Sequence, residues 1–161
     1  MILTIHMLVG SLMVIWLKNK PAAIVLAFLS HYLLDLLPHV EYPIQEPAKK
    51  FWKTTLSDYI KVFLDFCLGL FLIFIFANQP VAYVCALVAI IPDILTILSR
   101  LFSNLKSPDA PKPLVILKNF LDIHDNFHLK RVHFLKYKKI SNFWRILTQL
   151  AVFIISLKLL L

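Results

Sequence analysis

Residues 59–98 decide the fold of this chain. They read YIKVFLDFCLGLFLIFIFA (59–77), then the polar break Asn78-Gln79-Pro80, then VAYVCALVAIIPDILTIL (81–98). Each apolar run is about as long as a helix that crosses the roughly 30 Å hydrocarbon core of a bilayer. The stretch therefore predicts two consecutive membrane spans. Pro92 lies inside the second run and predicts a kink there, because proline removes a backbone donor and crowds the preceding turn.

Three further apolar runs extend this pattern to the whole chain, at about 2–17, 22–37 and 140–161. The first two are short, since about 16 residues of helix reach only about 24 Å. Of the 161 residues, 60% are hydrophobic and 16% charged, whereas soluble domains carry about 25% charged residues. We predict an all-α membrane protein, one integral domain over 1–161 with about five transmembrane helices.

The basic residues predict the orientation. Among the 17 Lys and Arg residues, only Lys18, Lys20 and Lys158 fall outside two regions, the loops after spans two and four with their flanking residues. Cytoplasmic loops are enriched in Lys and Arg. This places a multi-pass protein in the cell membrane with a cytoplasmic N-terminus. Topology thereby explains the positive charge without nucleic acid, and membrane lipids are the expected partners.

A surface helix is predicted at about 114–137, after the proline-rich connector 107–113. Its expected apolar stripe, at about 100° per residue, also carries two histidines. The stripe comprises Leu117, Phe120, Leu121, His124, His128, Val132 and Leu135. The helix is expected either to lie on the cytoplasmic membrane surface or to pack beneath the bundle and close a site there.

All six histidines and the membrane aspartates fall at one predicted membrane level. His31 and Asp35 are four residues apart and share a helix face, and His124 and His128 form a second such pair. Imidazole and carboxylate together suit Zn²⁺ first, with Mn²⁺ and Fe²⁺ as alternatives. The candidate metal ligands are His6, His31, Asp35, His39, Asp93, His124, His128 and His133. Asp93 and His128 are also the candidate catalytic residues.

A structural interpretation competes with the metal site. His31 and Asp35 can simply hydrogen-bond each other and hold the bundle together. Against this, each ionisable group in a span costs about 2.5–3.5 kcal/mol to insert. His31, Asp35 and Asp93 together therefore favour a shared functional site. His133 points away from the apolar stripe if the surface helix runs on unbroken.

The segment 30–39, SHYLLDLLPH, resembles small bacterial integral membrane proteins that are similar to the membrane-bound metal-dependent hydrolases, in which it follows S-H-x-x-L-D-x-x-P-H. Weaker matches to the same proteins occur in the same order along most of the chain. They are His6 with Gly10, Pro92-Asp93, Phe127-His128 with His133, and Thr148-Gln149. Leu95 stands where the broader family often has a second acid, and no H-R-x-x-T-H-S element is recognisable. The resemblance implies a metal site and a hydrolase.

The sequence thus predicts a membrane-embedded metal-dependent hydrolase. Its substrate would be a phosphate ester or a lipid-linked molecule at the cytoplasmic membrane surface, because a site at headgroup depth meets headgroups first. Two alternatives are non-catalytic. A metal-handling or transport protein would place polar residues along the outer halves of the spans, but those halves are nearly all apolar. A membrane adaptor would use the basic surface helix and would scatter its histidines.

Overall fold

The computed structural model describes residues 2–40, 53–101, 112–131 and 140–161. Within these ranges the chain is all-helical, as predicted, and has no strand. The helices are α1 (Leu3–Trp16), α2 (Lys20–Asp35), α3 (Lys53–Phe76), α4 (Pro80–Ala89), α5 (Ile91–Leu101), α6 (Lys112–Arg131) and α7 (Asn142–Leu160).

Three helical stretches are long and apolar enough to cross a membrane: Tyr59–Phe76, Pro80–Ser99 and Asn142–Leu160. They correspond to the predicted runs 59–77, 81–98 and 140–161. The predicted run 2–17 forms α1, an apolar helix of 14 residues. Such a helix reaches only about 21 Å, less than the bilayer core.

Helix α1 lies at the centre and packs against α2, α3, α4 and α7. Its residues 4–8 and 10–12 are buried by these neighbours, whereas Ile15 and Trp16 at its C-terminal end are exposed. Gly10 allows α4 to approach closely. A Cβ at Gly10 would lie 2.6 Å from the Ala89 Cβ and 2.8 Å from the Cys85 carbonyl oxygen. This close contact sets the position of the last turn of α4.

The start of α1 is capped by a residue from α3. The N-cap Ile2 has no side-chain acceptor to offer. Instead, the Thr4 amide donates to Asp65 Oδ2 over 3.1 Å, and the Thr4 hydroxyl donates to Oδ1 of the same carboxylate. Because the first amides of a helix have no partners within it, Asp65 satisfies a group that would otherwise be buried unpaired.

Helix α2 begins two residues earlier and ends two residues earlier than the predicted run 22–37. The Asn19 side chain caps it by accepting from the Ala22 amide over 3.2 Å, with Pro21 in the first turn. The helix ends at Asp35, ahead of Pro38, because the residue before a proline avoids the α region. His39 therefore follows a turn and lies beside the end of its own helix.

The predicted kink in the fourth apolar run is an interruption at Ile90, between α4 and α5. Pro92 lacks the amide that would bond to the carbonyl of Val88. The Ile90 amide bonds to Leu87 and Val88 instead, which tightens the last turn of α4. The break leaves the final carbonyls of α4 available to other partners.

Helix α6 packs on α5, and the face that it buries coincides only in part with the predicted stripe. Leu121 and His128 are buried as expected, whereas Leu117 is 43% exposed and Phe120 57% exposed. A second group of apolar side chains also points outward, so α6 is apolar on more than one side. That group comprises Ile116, Ile123 and Phe127. The predicted continuation of this helix to 137 falls on 132–139, outside the described residues.

Candidate metal centre

Four side chains from three helices meet at one point, and we call them the quartet. They are His31 and Asp35 from α2, Asp93 from α5 and His128 from α6. Each contributes one ligand atom, and these atoms all lie within 4.8 Å of one another. His31, Asp35 and His128 are buried, while the Asp93 side chain is 28% exposed.

The separations within the quartet match the spacing of ligands around one ion. Asp35 Oδ2 lies 3.1 Å from His31 Nε2 and 2.9 Å from His128 Nε2. The two Nε2 atoms are 3.1 Å apart, and Asp93 Oδ1 is 3.7 Å from His31 Nε2. Ligands at about 2.0–2.1 Å from a tetrahedral ion are about 3.3 Å apart.

Hydrogen bonds behind the quartet orient the two imidazoles. His31 Nδ1 lies 2.8 Å from the Ala89 carbonyl oxygen, which can only accept, so Nδ1 carries the proton. Neutral His31 then has its lone pair on Nε2, inside the cluster. His128 Nδ1 lies 3.2 Å from the Thr96 hydroxyl, which can accept in the same way. Metal-ligating histidines typically donate their other N–H to such groups.

The electrostatics of the quartet favour a bound proton or cation. In neutral His31, Nε2 is an acceptor, yet it lies 3.1 Å from a carboxylate oxygen in a buried position. Two facing acceptors repel each other unless a proton or a cation lies between them, and burial makes unpaired charge costly. Asp35 and Asp93 together carry two negative charges when ionised, which one divalent cation would neutralise. The buried His/Asp group can therefore hold a metal ion.

Two more histidines surround the other oxygen of Asp35. His6 Nε2 lies 3.3 Å and His39 Nε2 3.8 Å from Asp35 Oδ1. His6 is fully buried, and its ring stacks on His31 with centroids 4.1 Å apart. The Nδ1 atom of His6 has no hydrogen-bond partner, and its Nε2 faces Asp35 Oδ1 without the alignment of a hydrogen bond. His39 Nδ1 donates to the Leu37 carbonyl over 2.7 Å, which leaves its Nε2 as the acceptor nitrogen.

His124 does not join the quartet. His124 Nε2 shares a hydrogen bond of 3.1 Å with the Tyr32 hydroxyl, beside the cluster. Burial lowers the pKa of His124 below its usual value, and neighbouring His128 lowers it further. A neutral His124 is therefore favoured at this position. His133 belongs to 132–139, outside the described residues.

Several supporting groups were not identified from the sequence. Thr96 had a usable signal, since it follows Asp93 by three residues and so lies on the same helix face. No sequence pattern pointed to the Ala89 carbonyl or the Tyr32 hydroxyl, because their roles depend on how α2, α4 and α6 pack together. Gln149 of α7, named from the sequence only in the Thr148-Gln149 match, accepts from the Val40 amide over 3.2 Å and so fixes the chain next to His39.

Comparisons of the chain with protein-family models, with curated proteins and with solved structures find no match.

Proposed function

We propose that this protein is a membrane-embedded metal-dependent hydrolase that cleaves a lipid-linked phosphate ester at the cytoplasmic membrane surface. Zn²⁺ is the proposed ion, with Mn²⁺ or Fe²⁺ as alternatives, because the quartet combines imidazole with carboxylate. The proposal rests mainly on the position of Asp93. The buried quartet has a single partly exposed member, Asp93, and Asp93 also lines an apolar groove.

The groove supports a substrate with a hydrocarbon chain. It has a volume of about 440 Å³ and lies between α1, α3 and α5. Phe63, Phe66, Ile94 and Ile97 line it, and Asp93 is its one charged residue. Phe63 is 64% exposed on a helix apolar enough to cross a membrane, so the groove would open sideways into lipid. A chain lying there would place its headgroup at Asp93.

The residues of the quartet would have different roles in the reaction. A bound divalent ion would stabilise negative charge on a phosphoryl oxygen and lower the pKa of a water molecule. His31 and His128 are held by Ala89 and Thr96, and so are suited to be fixed ligands. Asp93 is the most accessible of the four and is suited to accept a proton from water. The resemblance of 30–39 to membrane-bound metal-dependent hydrolases supports the same chemistry.

We also propose that the chain crosses the membrane five times with its N-terminus in the cytoplasm. Besides the three long apolar stretches, α1 and α2 would be short spans. The asymmetry of Lys and Arg supports this orientation. Reporter fusions at Gln45 and after Ala110 should report cytoplasm, and a fusion near Gln79 should report the outside. The opposite pattern would overturn the orientation.

The test of function compares two substrates that share a headgroup. Purified protein in detergent, loaded with Zn²⁺, is given phosphatidic acid in mixed micelles or soluble glycerol 3-phosphate. We expect phosphate release from the lipid and at least tenfold less from the soluble ester. The His31→Ala, Asp35→Ala double variant should lose both the metal and the activity. Stoichiometric metal without hydrolysis of either ester would favour the metal-handling alternative and overturn the proposed reaction.

A further inference from the structure

The Asp35 carboxylate faces a different pair of histidines with each of its oxygens. Oδ2 lies within 3.1 Å of the Nε2 atoms of His31 and His128. Oδ1 lies 3.3 Å from His6 Nε2 and 3.8 Å from His39 Nε2. A carboxylate between two sets of imidazoles is the arrangement expected of a ligand that bridges two cations.

His6 is the observation that a single ion leaves unexplained. It is completely buried in the central helix, and its Nε2 lies 3.3 Å from Asp35 Oδ1 without the alignment of a hydrogen bond. Buried polar groups almost always have partners, so such a nitrogen needs an explanation. Its Nε2 is the ring nitrogen near Asp35 Oδ1. His6 does not belong to the quartet, so an ion held there does not satisfy it.

His39 places a second potential ligand nitrogen near Asp35 Oδ1. Its Nδ1 proton goes to the Leu37 carbonyl, so its Nε2 carries the lone pair in neutral imidazole. Pro38 ends the helical path, and the bond from Val40 to Gln149 ties the chain to α7. These two features hold His39 next to Asp35, where its side chain is only 3% exposed.

We propose that the site holds two divalent ions bridged by Asp35. The first would be held by Asp35 Oδ2 with His31, His128 and Asp93, and the second by Asp35 Oδ1 with His6 and His39. This inference rests on the first ion of the proposed function and extends it. Paired ions in hydrolytic sites lie about 3.5–4 Å apart and act together on a phosphoryl group.

The net charge of a site with two bound ions supports a phosphate ester as the substrate. One divalent ion would neutralise the two carboxylates of the quartet. A second ion would add two positive charges, since its other ligands are neutral imidazoles. A pair of ions with this excess charge suits a phosphate group with two negative charges, such as a phosphate monoester.

The test measures how many ions bind to each chain and whether their spins are coupled. Metal-free protein in detergent is titrated with Mn²⁺, and the bound ions are measured by metal analysis and by electron paramagnetic resonance. We expect two Mn²⁺ per chain with an exchange-coupled spectrum. His6→Ala should bind one Mn²⁺ with the six-line spectrum of an isolated ion. His39→Ala gives the same test at a position outside the helices, should His6→Ala fail to fold.

Each outcome separates the two proposals. One uncoupled Mn²⁺ in the unaltered protein would overturn the second site and leave the first ion standing. No bound Mn²⁺ and no bound Zn²⁺ would overturn both. Two ions that persist in His6→Ala and His39→Ala would show that the second ion binds elsewhere, and the bridged pair would be rejected.

Discussion

The Nδ1 atom of His31 lies 2.8 Å from the carbonyl oxygen of Ala89, the last residue of α4. The bond is possible because the interruption at Ile90 leaves that end of the helix open. It links the candidate metal centre to the packing of α4 on α1, where Gly10 contacts the same turn. The orientation of a proposed ligand thus depends on a glycine outside the cluster.

We expect Gly10→Ala to weaken metal binding. The new Cβ would meet the Ala89 Cβ and the Cys85 carbonyl, neither of which can swing away as the end of a long side chain can. Such overpacking typically costs about 1–3 kcal/mol of stability. Displacement of Ala89 should lower metal affinity by about 10- to 100-fold, the usual effect of losing a partner behind a ligand. Zn²⁺ titration of the purified variant measures this.

Gly69→Ala is the matched control for Gly10→Ala. Its Cβ would meet first the sulfur of Met7 at 2.7 Å, the far part of a flexible side chain. We expect a small loss of stability and unchanged metal affinity. Equal losses of metal affinity in the two variants would mean that the Ala89 bond does not orient His31.

Thr96 should act on the ion through His128. Thr96→Val removes the hydroxyl that lies 3.2 Å from His128 Nδ1, while nearly preserving side-chain volume. We expect a loss of 10- to 100-fold in metal affinity, because the tautomer and ring orientation of His128 would no longer be fixed. Thr96→Ser keeps the hydroxyl and should retain most of the affinity. If Ser and Val variants bind Zn²⁺ equally, the hydroxyl has no role in binding.

Much of the fold and part of the site follow from the sequence, for identifiable reasons. Long apolar runs and their polar breaks are local signals, so the helices appear close to the predicted positions. The spacing of His31 and Asp35 is also local, because residues four apart share a helix face. Pro92 marked the interruption before Asp93.

How the helices pack against one another could not be predicted from such local signals. Which oxygen of Asp35 faces which histidine depends on how α1, α2 and α6 are rotated relative to one another. Periodicity located the buried face of α6 only in part, since Leu121 and His128 are buried but Leu117 and Phe120 are exposed. In a protein next to lipid, an outward face is as apolar as an inward one, so apolar residues do not mark the core. His124, predicted as a ligand because it lies four residues from His128, shares a hydrogen bond with Tyr32 beside the quartet, a contact that also depends on helix packing.

Removal of metal should destabilise the protein. An ion that binds only the folded state adds about 2.7 kcal/mol at a concentration one hundred times its dissociation constant. We expect a chelator to lower the thermal midpoint of the detergent-solubilised protein, and added Zn²⁺ to restore it. The increment should shrink as the pH falls, because protons compete with the ion for its ligands. His31→Ala should show no such increment, and a chelator effect that persists in this variant would point to another site.

Gln149 provides a separate test of His39. Its side-chain oxygen accepts from the Val40 amide over 3.2 Å and ties the segment that carries His39 to α7. Gln149→Ala removes the acceptor, and we expect the second Mn²⁺ to bind at least tenfold more weakly while the first is unchanged, since the quartet does not involve α7. Gln149→Glu keeps an acceptor oxygen at the same reach and should retain both ions. Isothermal titration with Mn²⁺ resolves the two events. Equal weakening of both ions in Gln149→Ala would show that α7 supports the whole site, and that His39 has no separate ion.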